Sequence, residues 1–149
     1  GRTLQSDLDA DKLLQDMVNS AEYLDNHELA GDKMGVTGFC WGGYATNFVT
    51  AKLGDRISAA VPFYGRGITA EETANIEAAL LVQSPEHDER INAAWPEFEA
   101  ALEANDVQFE RHIYPGANHG FHNNSTPRFD EENAALAWER TVAFFNQHL

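Results

Sequence analysis

The chain has 149 residues, of which 43% are hydrophobic, enough for one compact domain with a buried core. Twenty-four acidic residues against ten basic ones give a formal charge of -14. That charge would repel nucleic acid and anionic membranes, so we expect neither as a partner. No stretch approaches the roughly 20 apolar residues of a membrane span, and residues 1–7 lack the basic start and apolar core of a signal peptide, so we expect a cytoplasmic protein.

Cysteine and lysine are both scarce in this chain. Cys40 is the only cysteine, so no disulfide can form within the chain and its thiol is free to react. The excess of acidic over basic residues would suit a salty environment, but it is also typical of an ordinary solvated surface, and the sequence leaves both interpretations open.

The first half of the chain alternates helical and strand patterns. Apolar residues from Leu8 to Leu24 recur at helical spacing and predict an amphipathic helix. After a turn at Gly31-Asp32, the run Met34 to Gly38 predicts a short buried strand that enters a glycine-rich turn. A helix over Tyr44 to Leu53 and a strand over Ile57 to Tyr64 complete a strand-helix-strand unit.

The second half continues the alternation. Its elements, in order, are a short acidic helix (Glu71 to Ala78), a strand (Ala79 to Gln83) ending at Ser84-Pro85, a helix (Ile91 to Ala104), a strand (Val107 to Tyr114) ended by Pro115-Gly116, and a closing helix (Glu131 to Leu149). We therefore predict an α/β fold in a single domain, residues 1–149, with a mainly parallel sheet of about four strands and helices on both faces.

Reactive side chains follow three of the four predicted strands. Because parallel strands present their carboxyl ends at one edge of the sheet, these residues should lie together. The run Gly38-Phe39-Cys40-Trp41-Gly42-Gly43 has the form of a nucleophile elbow with cysteine as the nucleophile. We expect a side chain at Gly38 or Gly42 to collide with the neighbouring backbone, and the helix after Cys40 to favour a thiolate and an oxyanion. The alternative is a buried structural cysteine in a glycine-rich turn.

The histidine and the acid of a triad are predicted from chain order, since an α/β-hydrolase places its acid between the nucleophile and the histidine. His119 lies between small residues in a loop after the fourth strand, and His122 in the same loop competes with it. Asp88 follows the third strand, with Glu86 and Glu89 as alternatives. A merely solvated acidic loop is the simplest competing interpretation.

Metal and nucleotide sites lack their usual patterns. His119 and His122 are three residues apart and near Asp130, but the chain has no His-Glu-x-x-His or paired-cysteine motif. The glycine-rich turn is not followed by the Lys-Ser or Lys-Thr of a phosphate-binding loop. We therefore predict no metal and no cofactor.

Three separated motifs together resemble the dienelactone hydrolases. They are Gly38-Phe39-Cys40-Trp41-Gly42-Gly43, Asp88-Glu89-Arg90-Ile91-Asn92-Ala93 and Tyr114-Pro115-Gly116-Ala117-Asn118-His119-Gly120-Phe121. The resemblance covers nearly the whole chain from about Asp7. It implies an α/β-hydrolase fold in which Cys40 is the nucleophile, Asp88 the acid and His119 the base. It also implies that the main-chain N–H of Trp41 is an oxyanion donor and that the substrate is a small ester or lactone.

The resemblance also implies elements that this chain does not contain. Family members have further strands and a helix before the segment that begins here, and these supply a second oxyanion N–H, a glutamate and a basic residue. The arginine expected shortly after the histidine has no counterpart in Gly120-Phe121-His122-Asn123, and Arg128 lies further along. We therefore expect a truncated α/β-hydrolase-like sheet in which the bare edge of the first strand pairs with a second copy or a companion chain.

Two functions follow from these observations. The first is hydrolysis of an ester, lactone or thioester by a Cys-His-Asp triad, with activity impaired by the truncation. The second is a weakly active or inactive half-domain that serves as an interaction or oligomerisation module.

Overall fold

The computed structural model of the protein describes residues 7–149, so the segment 1–6, to which most of the signal-peptide prediction applies, lies outside the described residues. The elements in chain order are α1 (Ala10–Asp25), β1 (Met34–Phe39), α2 (Trp41–Leu53), β2 (Ile57–Phe63), α3 (Ala70–Thr73), β3 (Ala79–His87), α4 (Glu89–Ala104), β4 (Phe109–Asn118) and α5 (Glu131–His148). The four strands form one sheet in the order β1-β2-β3-β4, and all three pairings are parallel. This confirms the predicted parallel sheet.

Helices cover both faces of the sheet, also as predicted, but unequally. Each strand lies beside the previous one, so right-handed crossovers bring their helices to the same face. On that face the sheet residues Ala60 and Leu80 pack against Trp95, Phe98 and Leu102. On the opposite face Val61, Phe63 and Leu81 pack against α5 through Ala134 and Ala137. Within residues 7–149, α5 is the one helix on this second face.

Strand β3 is longer than the sequence predicts. The prediction ended it at Ser84-Pro85 and placed Asp88 in a loop, but the strand continues to His87 and Asp88 caps the next helix. The carbonyl of Gln83 accepts a hydrogen bond from the Tyr64 N–H at the end of β2. Because backbone groups alternate sides along a strand, Pro85 faces that same side, where β2 has already ended. The missing N–H of Pro85 therefore costs no ladder bond.

Strand β4 is also longer than predicted, because Pro115-Gly116 does not end it. The Gln108 carbonyl accepts a hydrogen bond from the Leu80 N–H, so even-numbered residues of β4 face β3 and Pro115 faces away from the sheet. An edge strand tolerates proline on its outer side. β4 therefore runs to Asn118 and brings His119 directly to the carboxyl end of the sheet.

Apolar side chains are exposed near the free edge of β1. Among the described residues β1 pairs with β2 alone. Phe39 on this strand is 38% exposed, and Trp138 and Val142 on the neighbouring part of α5 are 48% and 42% exposed. None of the helices in residues 7–149 combines the length and apolar character needed to span a bilayer.

Candidate active site

Cys40 occupies the sharp turn between β1 and α2. Its backbone has φ 59° and ψ -116°, a left-handed conformation that is uncommon for a residue other than glycine. Its N–H donates to the Phe63 carbonyl at 3.0 Å, which ties the turn to the end of β2. The thiol lies at the exposed edge of the sheet, where strain of this kind is typical of functional residues.

The turn requires glycine at Gly38 and Gly43, whereas the sequence predicted this requirement at Gly38 and Gly42. A Cβ on Gly38 would lie 2.2 Å from the Gly42 carbonyl oxygen, and a Cβ on Gly43 would lie 2.5 Å from the Phe63 oxygen. A Cβ on Gly42, by contrast, meets nothing within 4 Å outside its own stretch of helix, so the predicted collision at Gly42 is wrong. Gly42 contributes its carbonyl to the crowding at Gly38, while its own Cβ position points into open space.

The carboxyl ends of three strands bring Cys40, Asp88 and His119 together. His119 Nε2 lies 3.1 Å from Cys40 Sγ, and His119 Nδ1 lies 2.6 Å from Asp88 Oδ2. Asp88 is 8% exposed, and its other oxygen, Oδ1, accepts a hydrogen bond from the Ile91 N–H in the first turn of α4. One carboxylate therefore contacts the imidazole and caps a helix at the same time.

The alternative acids and the competing histidine lie elsewhere. Glu86 accepts a hydrogen bond from the Gly116 N–H at 2.7 Å, and Glu89 is an exposed residue at the start of α4. The His122 ring packs among Phe39, Phe63 and Trp138, with ring centroids 5.2 to 5.9 Å away. Burial among these rings lowers the pKa of His122 below its usual value and favours the neutral imidazole.

Trp41, the predicted oxyanion donor, is the first residue of α2. The first N–H groups of a helix have no partner inside the helix, so the Trp41 N–H is available to a ligand beside Cys40. Within the described part of the chain, no group of three or more His, Cys, Asp or Glu side chains is arranged to hold a metal ion.

Two cavities adjoin Cys40, and Tyr64 lines both. The larger, about 460 Å³, also contains Phe39, His119, His122 and Arg128, and the smaller, about 200 Å³, contains Trp41, Tyr44, Arg66 and Arg90. The Tyr64 ring centroid lies 5.0 Å from that of His119. Burial, with a smaller contribution from Cys40, raises the pKa of Tyr64 to about 12, so its hydroxyl stays protonated.

Arg128 lines the larger cavity, and no sequence motif indicated a role for it. The Asp130 N–H donates to the Phe121 carbonyl at 2.9 Å and closes the loop after His119 on itself. This closure returns Arg128 to the neighbourhood of Gly120, although the two residues are eight positions apart. No spacing rule predicts such a return, because it depends on the path of an irregular loop.

Comparison with known proteins places the chain in a family. The sequence profile of the Dienelactone hydrolase family matches residues 2–149. Protein usf of Aquifex pyrophilus is 36% identical over 120 residues, which cover 78% of this chain and 52% of that protein. A Yersinia pestis protein named "Putative carboxymethylenebutenolidase" is 29% identical and is covered over 55% of its length. The chain thus spans about half the length of these curated relatives.

Solved structures show the same similarity in three dimensions. A structure named "Putative Dienelactone Hydrolase", from Klebsiella pneumoniae subsp. pneumoniae MGH 78578, superposes with a TM-score of 0.82 at 27% identity, covering 95% of this chain and 63% of that one. The acylaminoacyl peptidase of Pyrococcus horikoshii superposes with a TM-score of 0.73 at 20% identity over 91% of this chain and 28% of its own, which shows a shared fold.

Proposed function

Because this chain belongs to the dienelactone hydrolase family, we propose that it hydrolyses a carboxylic ester, lactone or thioester, with Cys40 as nucleophile, His119 as base and Asp88 as the orienting acid. One observation carries the proposal. The His119 ring bridges the Cys40 thiol and the Asp88 carboxylate at 3.1 and 2.6 Å, which is the geometry that nucleophilic catalysis requires.

In the proposed reaction His119 accepts the thiol proton while Cys40 Sγ attacks the carbonyl carbon. The Trp41 N–H stabilises the oxyanion, and the imidazolium then protonates the leaving oxygen or sulfur as the tetrahedral intermediate collapses to a thioester. Water, deprotonated by His119, attacks this acyl-enzyme and releases the acid and the free thiol. Asp88 holds the imidazole tautomer and stabilises the imidazolium throughout.

The test is multiple turnover of 4-nitrophenyl acetate. We expect slow turnover, because this proposal assigns one oxyanion donor and the loss of a single donor costs roughly a hundred- to a thousandfold. Cys40→Ala and His119→Ala should each reduce turnover by about a thousandfold or more. An exposed thiol can be acylated once without catalysis, so product must exceed enzyme many times over. Wild-type turnover in His119→Ala would refute the triad.

A second candidate function rests on the outer edge of β1, which no other strand in the described part of the chain covers, and on the exposed Phe39, Trp138 and Val142 near it. An unpaired strand edge next to apolar side chains is an association site. We propose that a second copy of the chain binds there, and that this association is the principal function if turnover is absent.

A further inference from the structure

The smaller cavity beside Cys40 has a distinctive lining. Its polar side chains include two guanidinium groups, Arg66 and Arg90, set among the aromatic rings of Trp41, Tyr44 and Tyr64. No carboxylate lines this cavity or the larger one among the described residues, although the chain carries 24 acidic residues. Nor does any carboxylate oxygen of residues 7–149 lie within 4.0 Å of Arg66 or Arg90.

This charge distribution is the reverse of that of the molecule as a whole. A net charge of -14 repels anions from most of the surface. The smaller cavity, which is lined by two guanidinium groups and no carboxylate, is a local exception. Guanidinium groups match the geometry of carboxylate and phosphate oxygens, and they bind these anions most strongly in partly enclosed sites.

Arg66 is held in place by its surroundings. Its guanidinium lies 4.0 Å above the Tyr44 ring, and its carbonyl accepts a hydrogen bond from the Asn47 amide, a side chain that is 1% exposed. The preceding Gly65 packs so closely on α2 that a Cβ there would lie 2.3 Å from the Gly43 carbonyl carbon. The Arg66 backbone is therefore fixed relative to the Cys40 turn before any ligand binds.

The position of His119 decides which part of the substrate each cavity takes. His119 protonates the leaving group, so the leaving group must lie in the larger cavity, which His119 lines. The acyl group then extends from Cys40 past Tyr64 into the smaller cavity, towards Arg66 and Arg90.

We propose that Arg66 and Arg90 form an oxyanion-binding subsite, for a carboxylate or phosphate group, that selects esters with an anionic acyl arm. The subsite deepens the proposed hydrolase function and rests on it for the assignment of the two arms. The preferred substrates are accordingly half-esters of short dicarboxylic acids or their phosphorylated counterparts.

The first test compares two esters that differ at one end. The 4-nitrophenyl half-ester of glutaric acid and 4-nitrophenyl valerate have acyl chains of equal length, and the first alone carries a carboxylate. The ratio of their kcat/KM values should fall about tenfold to a hundredfold in the double variant Arg66→Gln/Arg90→Gln. The ratio should keep its wild-type value in Lys52→Gln, which removes one positive charge at an exposed site in the last turn of α2.

The second test needs no turnover. Iodoacetamide alkylates Cys40, the only thiol, and mass spectrometry follows the rate. Glutarate or inorganic phosphate should slow alkylation in the wild type and in Lys52→Gln, and should lose this effect in the double arginine variant. Protection by phosphate alone would identify the anion as a phosphate group, and protection by glutarate alone as a carboxylate.

Failure of the subsite differs from failure of the hydrolase. If both esters are turned over through Cys40 but the arginine variant changes neither the ratio nor the protection, the subsite is refuted and the hydrolase stands. If neither ester is turned over, the protection experiment still decides whether the subsite exists. The decisive contrary result would come from Arg128→Gln. If this variant, rather than the double arginine variant, lowers the ratio of kcat/KM values and abolishes protection of Cys40 by anions, the anion binds in the larger cavity and the proposal is wrong.

Discussion

Asp88 links the proposed triad to helix stability through one side chain. Its Oδ2 contacts His119 and its Oδ1 accepts the Ile91 N–H that begins α4. A substitution can therefore damage the site, the helix or both, depending on which oxygen it preserves. Asparagine keeps an oxygen for the cap and removes the carboxylate charge, whereas alanine removes both.

We predict that Asp88→Asn lowers ester turnover by up to about ten-thousandfold, because an amide cannot hold the imidazole in the required tautomer. It should change the free energy of unfolding by less than about 0.5 kcal/mol, since asparagine is as good an N-cap as aspartate. Asp88→Ala should lose a further 0.5 to 2 kcal/mol, or roughly the value of a cap. Steady-state kinetics and urea unfolding measure the two effects, and equal stabilities for the two variants would contradict the capping role.

The glycines of the Cys40 turn offer a matched pair of substitutions. Gly38→Ala should destabilise the protein by several kcal/mol, about the upper range for point variants, because its Cβ would overlap the Gly42 carbonyl oxygen. Gly42→Ala should be neutral or stabilising by up to about 1 kcal/mol, because alanine is the better helix former. The midpoint of urea unfolding decides between them. Equal destabilisation by both substitutions would mean that a side chain at Gly42 does collide with its surroundings, as the sequence predicted.

At the scale of elements, a buried polar network connects β3, β4 and α5. The Gln83 side chain is fully buried, donates to the Ala137 carbonyl and Thr141 Oγ1 at 3.2 Å, and accepts from the Tyr114 hydroxyl at 2.5 Å. This network places buried hydrogen bonds between α5 and the sheet, within a cluster whose buried side chains are otherwise mostly apolar.

We predict that Gln83→Leu costs about 1 to 3 kcal/mol, because it leaves the buried Tyr114 hydroxyl without its acceptor. Tyr114→Phe in the same chain removes that hydroxyl, so the double variant should be more stable than the sum of the two single losses implies. Thermal or urea unfolding of the wild type, the two single variants and the double variant gives the four stabilities of this double-mutant cycle. Strict additivity would mean that the two side chains are not energetically coupled.

The sequence predicts the order and type of these elements well, because each helix and strand carries its own hydrophobic period. It predicts their ends poorly where a proline is harmless for tertiary reasons. The sequence predicts strand ends at Pro85 and Pro115, yet each proline faces a side on which, among residues 7–149, no strand pairs with it. The site shows the same division, since chain order indicated Cys40, Asp88 and His119, whereas the return of Arg128 depends on loop closure that no local pattern records.

The edge of β1 dominates the behaviour expected of the whole molecule. We predict a mass of at least twice 16.5 kDa by light scattering at micromolar concentration, because the outer edge of β1, which pairs with no other strand of residues 7–149, lies beside exposed apolar side chains and favours association. Thr37→Lys on β1 should shift the protein towards the monomer by placing charge on this edge. Ile113→Lys, which adds the same positive charge on β4 at the opposite edge of the sheet, should leave the mass unchanged. A wild-type monomer, or dissociation by Ile113→Lys alone, would contradict the proposed interface.

The strand order of the sheet has a consequence for how the protein folds. Because β1, β2, β3 and β4 lie in the sheet in the order in which they occur in the chain, each strand can dock on the one synthesised just before it. Local connections of this kind keep the entropic cost of loop closure low. His119, however, follows the last strand and meets Cys40 only when the sheet is complete. The reactivity of the Cys40 thiol during refolding should therefore change when β4 docks, so its rate of alkylation reports the last step of sheet assembly.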